Sequence, residues 1–458
     1  MKARCWMDSR GSTRNSRLRP TIFASHEVYQ GCVGTFFFAL LLVLGMGCGH
    51  HNEQLTEDTP IVVDAGGAKE TGDADGGSAP VGWLYDESHL LEIDLTLDSA
   101  DWDLIRTETR TSTCVNANFE FTTVPTELSV DGQTFPRVGV RKKGSRGSLS
   151  STRPSLHIDM NEYTSSTRID GQKVLTLNNC RQDRSLAKQC LAYEVFRAAG
   201  LPAPRCSFAH VRVNGEDLGI YANIEPVKKP FLARYYANND GNLYEGSSGA
   251  DFRDDKLGQF EKKTNEDSPP SGELQALADA LKSTMGTEQA IEALVDVPEF
   301  MRFWAVESLI GHWDGYAGNL NNFFVYQDPT TQKMSFIPWG TDQAFSSTHP
   351  FLSNSRNVPK SVYARAHLPN LLYAEETPRE EYRNTLRSVL ASAWDETALL
   401  AHIDRIAALL GDFASARDLD TLRNFVQTRR AEVEAELARP AQPWTSGEPT
   451  ARQCTTEP

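Results

Sequence analysis

Acidic and amide side chains cluster between two apolar segments in the second half of the chain, at residues 312–322. Asp314 and Asn319 stand five residues apart, which is the spacing of the catalytic-loop Asp and Asn in protein kinases. There the carboxylate orients the substrate hydroxyl, and the amide oxygen binds a metal ion on the nucleotide phosphates. A chain with 61 acidic residues also contains such a spacing by chance, so a helix end with local turn bonds is the alternative interpretation.

A second carboxylate, Asp342, comes just after a predicted strand. Two predicted strands, 322–327 and 333–337, separate Asp314 from Asp342 and have the pattern of a hairpin. Such a hairpin would bring both carboxylates to one end of the strand pair, as the catalytic loop and the metal-binding Asp are arranged in a kinase. The alternative is that Asp342 caps a helix or a turn.

Small and basic residues follow a further predicted strand, 137–142. Small side chains let backbone N–H groups approach phosphate oxygens, and Lys142, Lys143 and Arg146 add positive charge. The segment is therefore a candidate phosphate-binding turn, and a basic surface hairpin is the alternative. Its residues are Lys143, Gly144, Ser145, Arg146, Gly147 and Ser148.

The elements that must position these residues change along the chain. In the first half, alternating apolar residues predict strands, including hairpins turned by Asp131-Gly132 and Asn214-Gly215. One helix interrupts the strands at about 186–199, with Ser185 or Asp183 as its N-terminal cap.

Helical patterns dominate after residue 231, interrupted by the hairpin that separates the two carboxylates. This layout predicts an α+β bilobed fold, with a β-rich N-terminal lobe at 83–230 and a mostly helical C-terminal lobe at 231–440. A cleft between the lobes is the expected ligand site. The predicted helices lie at about 272–284, 287–295, 298–311, 379–393, 396–410 and 417–438.

The composition is that of a globular protein. The chain has 458 residues, of which 40% are hydrophobic and 23% charged, so it can bury a large core. Its length suggests two or three compact units, or one large bilobed unit. The formal net charge of −15 argues against a nucleic-acid partner, because affinity for the phosphate backbone comes from clustered Lys and Arg.

The N-terminal region has the pattern of an exported protein. Residues 33–47 form an uncharged apolar run that is short for a membrane span and fits the core of a signal peptide. Small residues precede Cys48, as in bacterial lipoproteins, so we expect a signal peptide at 1–47 and lipid on Cys48. Plain secretion and an uncleaved anchor are the alternatives. An acidic, Gly-rich linker at 48–82 would tether the folded region, and 441–458 forms a polar tail.

Four cysteines of the exported part fall within the β-rich region: Cys114, Cys180, Cys190 and Cys206. An oxidising compartment permits disulfides there, and four cysteines allow three pairings. We favour Cys114 with Cys180 and Cys190 with Cys206, which leaves Cys454 free in the tail. A zinc site is the weaker interpretation, because no CxxC motif or closely spaced His pair accompanies these cysteines.

These segments together resemble the spore coat protein H (CotH) kinase family of secreted, atypical protein kinases. The resemblance covers about residues 88–440. It implies a divergent protein-kinase-like fold, ATP with Mg²⁺ or Mn²⁺ as cofactors, and transfer to Ser-containing proteins. The segments that carry it, in chain order, are GVRKKGSRGS, RPSLHIDMNEY, LTLNNCRQDRSLAKQCLAYEVFRAAGLPAPR, HVRVNGEDLGIYANIEPVKKPFL, GNLYEG, HWDGYAGNLNNFFVYQDP and FIPWGTDQAF.

The resemblance implies a role for each residue of the two motifs. Asp314 matches the catalytic Asp, Asp342 matches the metal-binding Asp, and either Asn319 or Asn322 matches the neighbouring metal-binding amide. The small-residue turn at 144–148 matches the loop that follows the first strands and would contact the nucleotide.

One motif departs from the family pattern. Where relatives typically have Lys-Pro-Ser-x-Lys, this chain has Arg153 and His157. Arg153 would supply the charge of a phosphate-contacting lysine without its compact geometry, and His157 would be largely neutral at pH 7. Lys262 or Lys263 is a further candidate phosphate contact, with a solvated charge as the alternative.

Two other polar residues have competing interpretations. Glu225 ends a predicted strand near the lobe junction, where it would help to seat the nucleotide or form a structural ion pair. His312 is interpreted as a packed turn histidine, because no Ser or Cys nucleophile motif accompanies it.

The function implied is an exported, membrane-tethered protein kinase that phosphorylates Ser or Thr hydroxyls of envelope or surface proteins. A surface-bound pseudokinase used for adhesion is the first alternative, favoured by the scarcity of extracytoplasmic ATP and by Arg153 and His157. A structural envelope lipoprotein whose acidic surface gathers cations is the second.

Overall fold

The computed structural model describes residues 82–109, 119–144, 146–268, 272–282, 287–350 and 359–444. All of them belong to one compact unit. The expected signal peptide, linker and polar tail lie outside the described residues, apart from the linker's last residue and the tail's first four. Cys48, Cys114, Ser145 and Cys454 also lie outside them.

Seven strands of the first half close into a barrel, in the order β1-β2-β3-β4-β5-β7-β6. The parallel pairing of β1 with β6 closes it, and apolar side chains of alternate strand residues fill its core. The strands are β1 (Leu90–Thr96), β2 (Val124–Val130), β3 (Gln133–Lys142), β4 (Leu156–Asp159), β5 (Val174–Asn178), β6 (Cys206–Val213) and β7 (Glu216–Ile224).

Both predicted hairpin turns of the barrel are confirmed. Asp131 and Gly132 have φ of 49° and 81°, and Asn214 and Gly215 have φ of 51° and 80°. Two successive positive φ angles match the right-handed twist of the flanking strands. These turns therefore set the registers of β2 against β3 and of β6 against β7.

Two helices accompany the barrel, α1 (Ser99–Thr107) and α2 (Lys188–Ala198). Ala187, rather than the predicted Ser185 or Asp183, occupies the N-cap position of α2 and makes no side-chain cap bond. The Asp183 carboxylate still accepts a hydrogen bond from the Lys188 backbone N–H, the first of the helix, at 2.9 Å. Gly200, with φ of 72°, follows the end of α2 as expected.

A four-stranded sheet, in the order β11-β10-β8-β9, lies within the second half. Its strands are β8 (Asn242–Gly246), β9 (Phe260–Lys262), β10 (Phe323–Gln327) and β11 (Met334–Pro338). The β10–β11 hairpin was predicted and is confirmed. The expectation that it stands alone among helices was wrong, because β8 pairs with β10 across almost 80 residues of chain and short β9 pairs with β8.

The rest of the second half is mainly helical. The expected α+β class is therefore confirmed, with a β-rich first half and a mainly helical second half. None of the helices within the described ranges is both long and apolar enough to cross a bilayer. The helices are α3 (Lys229–Tyr235), α4 (Glu273–Lys282), α5 (Thr287–Leu294), α6 (Val297–Leu309), α7 (Tyr316–Asn319), α8 (His367–Ala374), α9 (Glu376–Ser392), α10 (Glu396–Leu410) and α11 (Ala416–Leu437).

One disulfide joins Cys190 of α2 to Cys206 of β6, which confirms that predicted pair. The predicted disulfide between Cys114 and Cys180 was wrong, because Cys180 is a free, buried thiol. Its sulfur lies 3.4 Å from the Asn178 carbonyl oxygen, and burial raises its pKa to about 12. A protonated, enclosed thiol of this kind is chemically inert.

We expect removal of the Cys190–Cys206 disulfide to lower the free energy of unfolding by about 3 kcal/mol, because the bond closes a loop with a sequence separation of 16 and so restricts the unfolded chain. Denaturant unfolding of the Cys190→Ala/Cys206→Ala variant, with and without reductant, measures this loss. Cys180→Ala serves as the control for loss of a buried thiol. Equal unfolding midpoints for wild type and the double variant would contradict the prediction.

Candidate active site

Asp314 lies in the loop between α6 and the one-turn helix α7, with its carboxylate held by amide side chains. Asn319 donates to Oδ1 of Asp314 at 2.6 Å and Asn321 donates to the same oxygen at 3.3 Å. Asn322 donates to Oδ2 and to the backbone oxygen of Asp314, at 3.0 Å each. The half-buried carboxylate therefore has a fixed direction, as a group that orients a substrate must have.

The backbone after α7 makes this convergence possible. Leu320 and Asn322 both adopt left-handed conformations, with φ of 56° and 55°. Asn tolerates this region readily, whereas for Leu it is strained. Two such residues reverse the chain within three positions, so that amides before and after the reversal reach the same carboxylate.

Glu307 of α6 binds the backbone at the start of α7 through hydrogen bonds, a role that sequence reasoning missed. Its two carboxyl oxygens accept hydrogen bonds from the backbone N–H groups of Tyr316 and Ala317, at 2.8 Å each. A Cβ on Gly315 would lie 2.2 Å from Oε1 of Glu307, so glycine is required there. The available signal was a lone acidic residue in the last two turns of a helix where the other residues, apart from Ser308, are apolar.

We expect the free energy of unfolding to fall by about 1 kcal/mol per pH unit, through Glu307, as pH rises from about 5 to about 8. Burial raises the pKa of Glu307 to about 8, whereas an exposed Glu ionises near pH 4.3. Folding therefore takes up a proton in this window, and stability is lost as pH rises through it.

Denaturant midpoints at pH 5.5 and 7.5 test this expectation. Glu307→Gln should reduce the pH dependence, and Glu381→Gln, at an exposed position of α9, should leave it unchanged. Parallel pH dependences in wild type and Glu307→Gln would show that this carboxyl does not titrate between the folded and unfolded states.

Asp342 lies in a single 3-10 turn after β11, where the hairpin brings it into electrostatic range of Asp314. Burial, together with the negative charges of Asp183 and Asp314, raises the pKa of Asp342 to about 7, while nearby Lys143 opposes the rise. Asp183 is a third carboxylate that sequence reasoning had placed only as a helix cap. Excess negative charge around a half-buried carboxylate suits a divalent cation.

Gly340 permits close packing between this turn and the loop of Asp314. Its φ is 50°, and a Cβ there would lie 2.5 Å from the amide oxygen of Asn322. The amide nitrogen of Asn322 faces Asp314, so its oxygen is the part directed at the 340–342 turn. Any larger residue at 340 would displace Asn322.

A cleft of about 1030 Å³ lies between the barrel and the four-stranded sheet. Its walls combine aromatic, aliphatic and basic side chains with three acidic ones, Glu120, Glu245 and Glu261, of which the last two pair with Lys263. The remaining basic side chains and the rings suit a ligand that has both a flat ring and anionic groups. Among the lining residues are Phe121, Val174, Val227, Phe260, Phe324 and Trp339, and also Arg141, Lys143, Gly144, His157, Lys228, Lys262 and Lys263.

Lys143 links this cleft to the carboxylate cluster. Its ammonium group lies 5.8 Å from the centre of the Trp339 ring. Burial lowers its pKa to about 8, although the charges of Glu245 and Asp342 favour the protonated form. At pH 7 Lys143 is therefore mainly a cation, and it lies in the field of Asp342.

His157 and Lys263 also line the cleft. Burial, with Arg141 and Lys143 next in effect, holds the pKa of His157 well below its usual range, so the ring is neutral, as expected from its residue type. Lys263 is paired with Glu245 at 2.9 Å and with Glu261 at 2.6 Å. It therefore reaches the cleft as half of an ion pair rather than as an isolated cation.

The structure places Arg153 outside the residues that line the cleft, contrary to its predicted phosphate contact. Its guanidinium donates to the Ile220 carbonyl and lies 5.0 Å from the centre of the Tyr221 ring. The guanidinium is therefore bound to the barrel wall and is not directed at a phosphate in the cleft.

Glu225 also does not line the cleft. Its buried carboxylate pairs with Arg205 at 3.0 Å and with Arg234. The structural ion pair is therefore the arrangement present, and no oxygen is directed at the cleft.

The other residues of the predicted phosphate-binding turn also differ in where they lie. Lys142 is buried and does not line the cleft, because its ammonium group donates to the carbonyls of Arg106 and Glu108 at 2.7 and 2.8 Å. Gly144, with φ of 86°, lines the cleft, and a Cβ there would lie 2.6 Å from the Ser148 Cβ. Ser148 thus packs against the turn. Ser145 and the side chain of Arg146 lie outside the described structure. His312 is buried, and burial lowers its pKa to about 3, in agreement with a packed, neutral histidine.

The donor set fits a magnesium-type ion that is shared with a bound phosphate. No group of three or more His, Cys, Asp or Glu side chains within the described ranges could hold a metal alone. Mg²⁺ usually takes one or two carboxylates, an amide or water, and phosphate oxygens. Asp342 and the amide oxygen of Asn322 would supply the protein's share.

A family model described as CotH kinase protein matches residues 140–437. The chain belongs to the CotH kinase protein family. The resemblance noted in the sequence is thereby confirmed, and the chain is a kinase-like protein. The matched region contains the candidate phosphate-binding turn, Asp314 and Asp342.

Three curated relatives illustrate the family. The chain is 26% identical over 274 residues to Invasin CotH2 of Rhizopus delemar, covering 55% of this chain and 45% of the relative. It is 27% identical over 189 residues to Invasin CotH3 of the same organism, covering 38% and 31%. It is 25% identical over 257 residues to Inner spore coat protein H of Bacillus subtilis, covering 52% and 68%. The aligned region therefore spans less than half of the length of these two invasins.

Two solved structures show distant likeness to this CotH family member. The Helicobacter pylori proinflammatory kinase CtkA has a TM-score of 0.36 and 9% identity, with 65% of this chain and 92% of that one covered. HipA, in a toxin–antitoxin complex of Shewanella oneidensis, has a TM-score of 0.32 and 10% identity, with 65% and 66% covered.

Proposed function

We propose that this chain is an exported, membrane-tethered protein kinase that transfers the γ-phosphate of ATP to Ser or Thr hydroxyls of envelope or surface proteins. One observation carries the proposal. A fixed carboxylate, Asp314, lies in electrostatic range of a second carboxylate, Asp342, whose charge acts in turn on Lys143 in the lining of a cleft suited to a nucleotide. Neither carboxylate is itself among the residues that line this cleft. Membership of the CotH kinase family supports the same reaction class.

Each residue of the cluster has a distinct task in this proposal. When bound, ATP supplies the phosphoryl group and Mg²⁺ or Mn²⁺ offsets the charge of its phosphates. Asp314 orients the acceptor hydroxyl and accepts its proton, and its amide contacts keep the carboxylate aimed. Asp342 is the metal-binding carboxylate. Lys143 contacts phosphate as a cation.

Asn322 is the better of the two candidate amides for the metal. Its nitrogen donates to Asp314 and its oxygen faces the turn that contains Asp342. The oxygen of Asn319 instead accepts a hydrogen bond from Arg365 at 3.3 Å. In both residues the amide nitrogen is the atom that faces the oxygens of Asp314. Because only the nitrogen can donate to them, these contacts fix the orientation of each amide.

Lys143 can supply the phosphate-contacting cation that Arg153 and His157, which replace the two family lysines, do not. Arg153 packs on the barrel wall and His157 is neutral, so neither supplies a phosphate-contacting cation. Lys143 lies in the cleft and retains its charge at pH 7. Phosphate contact therefore does not require the two family lysines.

Incubation of the full chain with γ-labelled ATP and Mn²⁺, with and without a Ser-rich acceptor protein, tests the reaction. Label on Ser or Thr would support the proposal. Metal-dependent ATP binding without transfer would indicate the pseudokinase, which the neutral His157 and the buried contacts of Arg153 favour. Neither binding nor transfer would leave the structural lipoprotein.

The proposed location rests on the sequence pattern at 33–48 and on the names of the relatives, which refer to spore coat proteins and invasins. We expect a fatty-acid probe to label the wild-type chain in bacteria and not the Cys48→Ser variant. Equal labelling of both would exclude lipid at Cys48, and plain secretion would become the better proposal.

A further inference from the structure

We propose that Arg365 is a positioning residue that holds Asn319 and thereby aims Asp314, so that the segment before α8 controls the catalytic loop. This segment comprises residues 359–366. The effect on turnover rests on the kinase activity proposed above, whereas the effect on the loop's order does not.

Arg365 binds α7 at three successive residues. Its backbone N–H donates to the Ala317 carbonyl at 2.8 Å. Its guanidinium Nη1 donates to the Gly318 carbonyl at 3.1 Å and to the amide oxygen of Asn319 at 3.3 Å. The C-terminal carbonyls of a helix have no partners within it. Here the backbone N–H of Arg365 bonds the Ala317 carbonyl and its guanidinium bonds the Gly318 carbonyl, which also lies 3.1 Å from Nε2 of His349.

Asn319 is the bridge from Arg365 to the carboxylate. Its amide nitrogen donates to Oδ1 of Asp314 at 2.6 Å, while its oxygen accepts from Arg365. Rotation of this amide would place its NH₂ group against the guanidinium and its oxygen against the carboxylate. Arg365 therefore fixes the rotamer in which Asn319 donates to Asp314.

The segment that carries Arg365 is itself anchored from behind by three helices. Tyr382 of α9 donates to the Ser361 carbonyl at 2.7 Å, and Arg429 of α11 donates to the Lys360 carbonyl at 2.9 Å. Ser308 of α6 accepts from the Tyr363 N–H at 3.1 Å. Arg365 thus projects from a rigid support, and a displacement of the segment would be transmitted to Asp314.

Lysine cannot replace this arrangement. Both side-chain bonds of Arg365 come from one nitrogen, Nη1, whose two protons lie at fixed angles in the guanidinium plane, whereas an ammonium is a compact, strongly hydrated charge on a freely rotating stem. Arg365→Lys therefore retains the charge and loses the geometry. Arg379 offers a matched control, because its Nη1 also donates to two backbone carbonyls, those of Tyr373 and Ala374 at the end of α8.

Hydrogen exchange of the full chain, measured by mass spectrometry, tests the positioning role without any activity. In Arg365→Lys, we expect the peptide that contains residues 313–322 to exchange about tenfold faster than in wild type. Arg379→Lys should leave this peptide unchanged. Unchanged exchange in Arg365→Lys would overturn the proposal whether or not the chain is a kinase.

A double-mutant cycle in the transfer assay tests the route through Asn319. Arg365→Lys and Asn319→Ala should each lower kcat about 10- to 100-fold, with little change in the KM for ATP. The double variant should be no more than about twofold slower than the slower single variant. Multiplied losses would mean that Arg365 acts independently of Asn319, which overturns the route. Absence of transfer in wild type would refute the proposed function, and the exchange result would still decide the role of Arg365.

Discussion

Replacement of Asp314 with Ala is expected to slow phosphoryl transfer about 10²- to 10⁴-fold and to leave nucleotide affinity nearly intact. The reason is that Asp314 acts on the acceptor hydroxyl, whereas the cleft is lined by other residues. In kinetic form the loss should appear in kcat rather than in the KM for ATP. Calorimetry with ATP and Mn²⁺, beside a transfer assay, separates the two quantities.

The contacts of Asp314 call for a second variant. Alanine leaves the amides of Asn319, Asn321 and Asn322 without their shared acceptor, so part of its effect would come from a loosened loop. Asp314→Asn keeps the shape and removes the charge, and it should be nearly as slow if the carboxylate itself accepts the proton. Asp404→Ala, at an exposed ion pair with Arg423, is the control for a lost surface carboxylate. Full transfer activity in both Asp314 variants would contradict the assigned role.

Replacement of Asp342 with Ala is expected to abolish metal-dependent ATP binding and transfer together. Asp342 is the carboxylate whose surroundings carry excess negative charge, from Asp183 and Asp314. Its removal should cost the site its one direct carboxylate ligand and reduce the affinity for the nucleotide–metal complex. ATP binding measured without metal should change much less, because Lys143 and the cleft walls remain.

The two variants are therefore expected to differ in ATP binding with Mn²⁺, while both lose phosphoryl transfer. Asp342→Ala should fail in the binding assay with Mn²⁺, and Asp314→Ala should pass it and fail in transfer. Thermal unfolding of both variants controls for gross misfolding. If both bind and transfer like wild type, the carboxylates are structural caps and the kinase proposal falls.

Local patterns were sufficient for much of this outcome. The Asp131-Gly132 and Asn214-Gly215 turns, the helix after Asp183 and the β10–β11 hairpin all depend on residues within a few positions of each other. Turn chemistry and side-chain periodicity act over that range. The proximity of Asp314 and Asp342 was predictable for the same reason, since one hairpin separates them.

Contacts between distant residues decided the rest. Sequence periodicity does not indicate that β1 pairs with β6 to close a barrel, or that β8 and β9 join the hairpin, because a strand's pattern does not name its partner. Arg153 and Glu225 had the residue types of nucleotide contacts, but the aromatic ring and the two arginines brought beside them by folding occupy their charges.

The sequence by itself determined the family, the α+β class and the two carboxylates, because these are carried by residue types in local order. Only the tertiary structure decided which residues position those carboxylates or act on their charge. Glu307, Asp183 and Arg365 come from a helix interior, the residues before α2 and a distant segment, and each has an ordinary residue type for its local pattern. Their roles arise from burial and from contacts across the fold, which set hydrogen-bond direction and pKa and which no local pattern encodes.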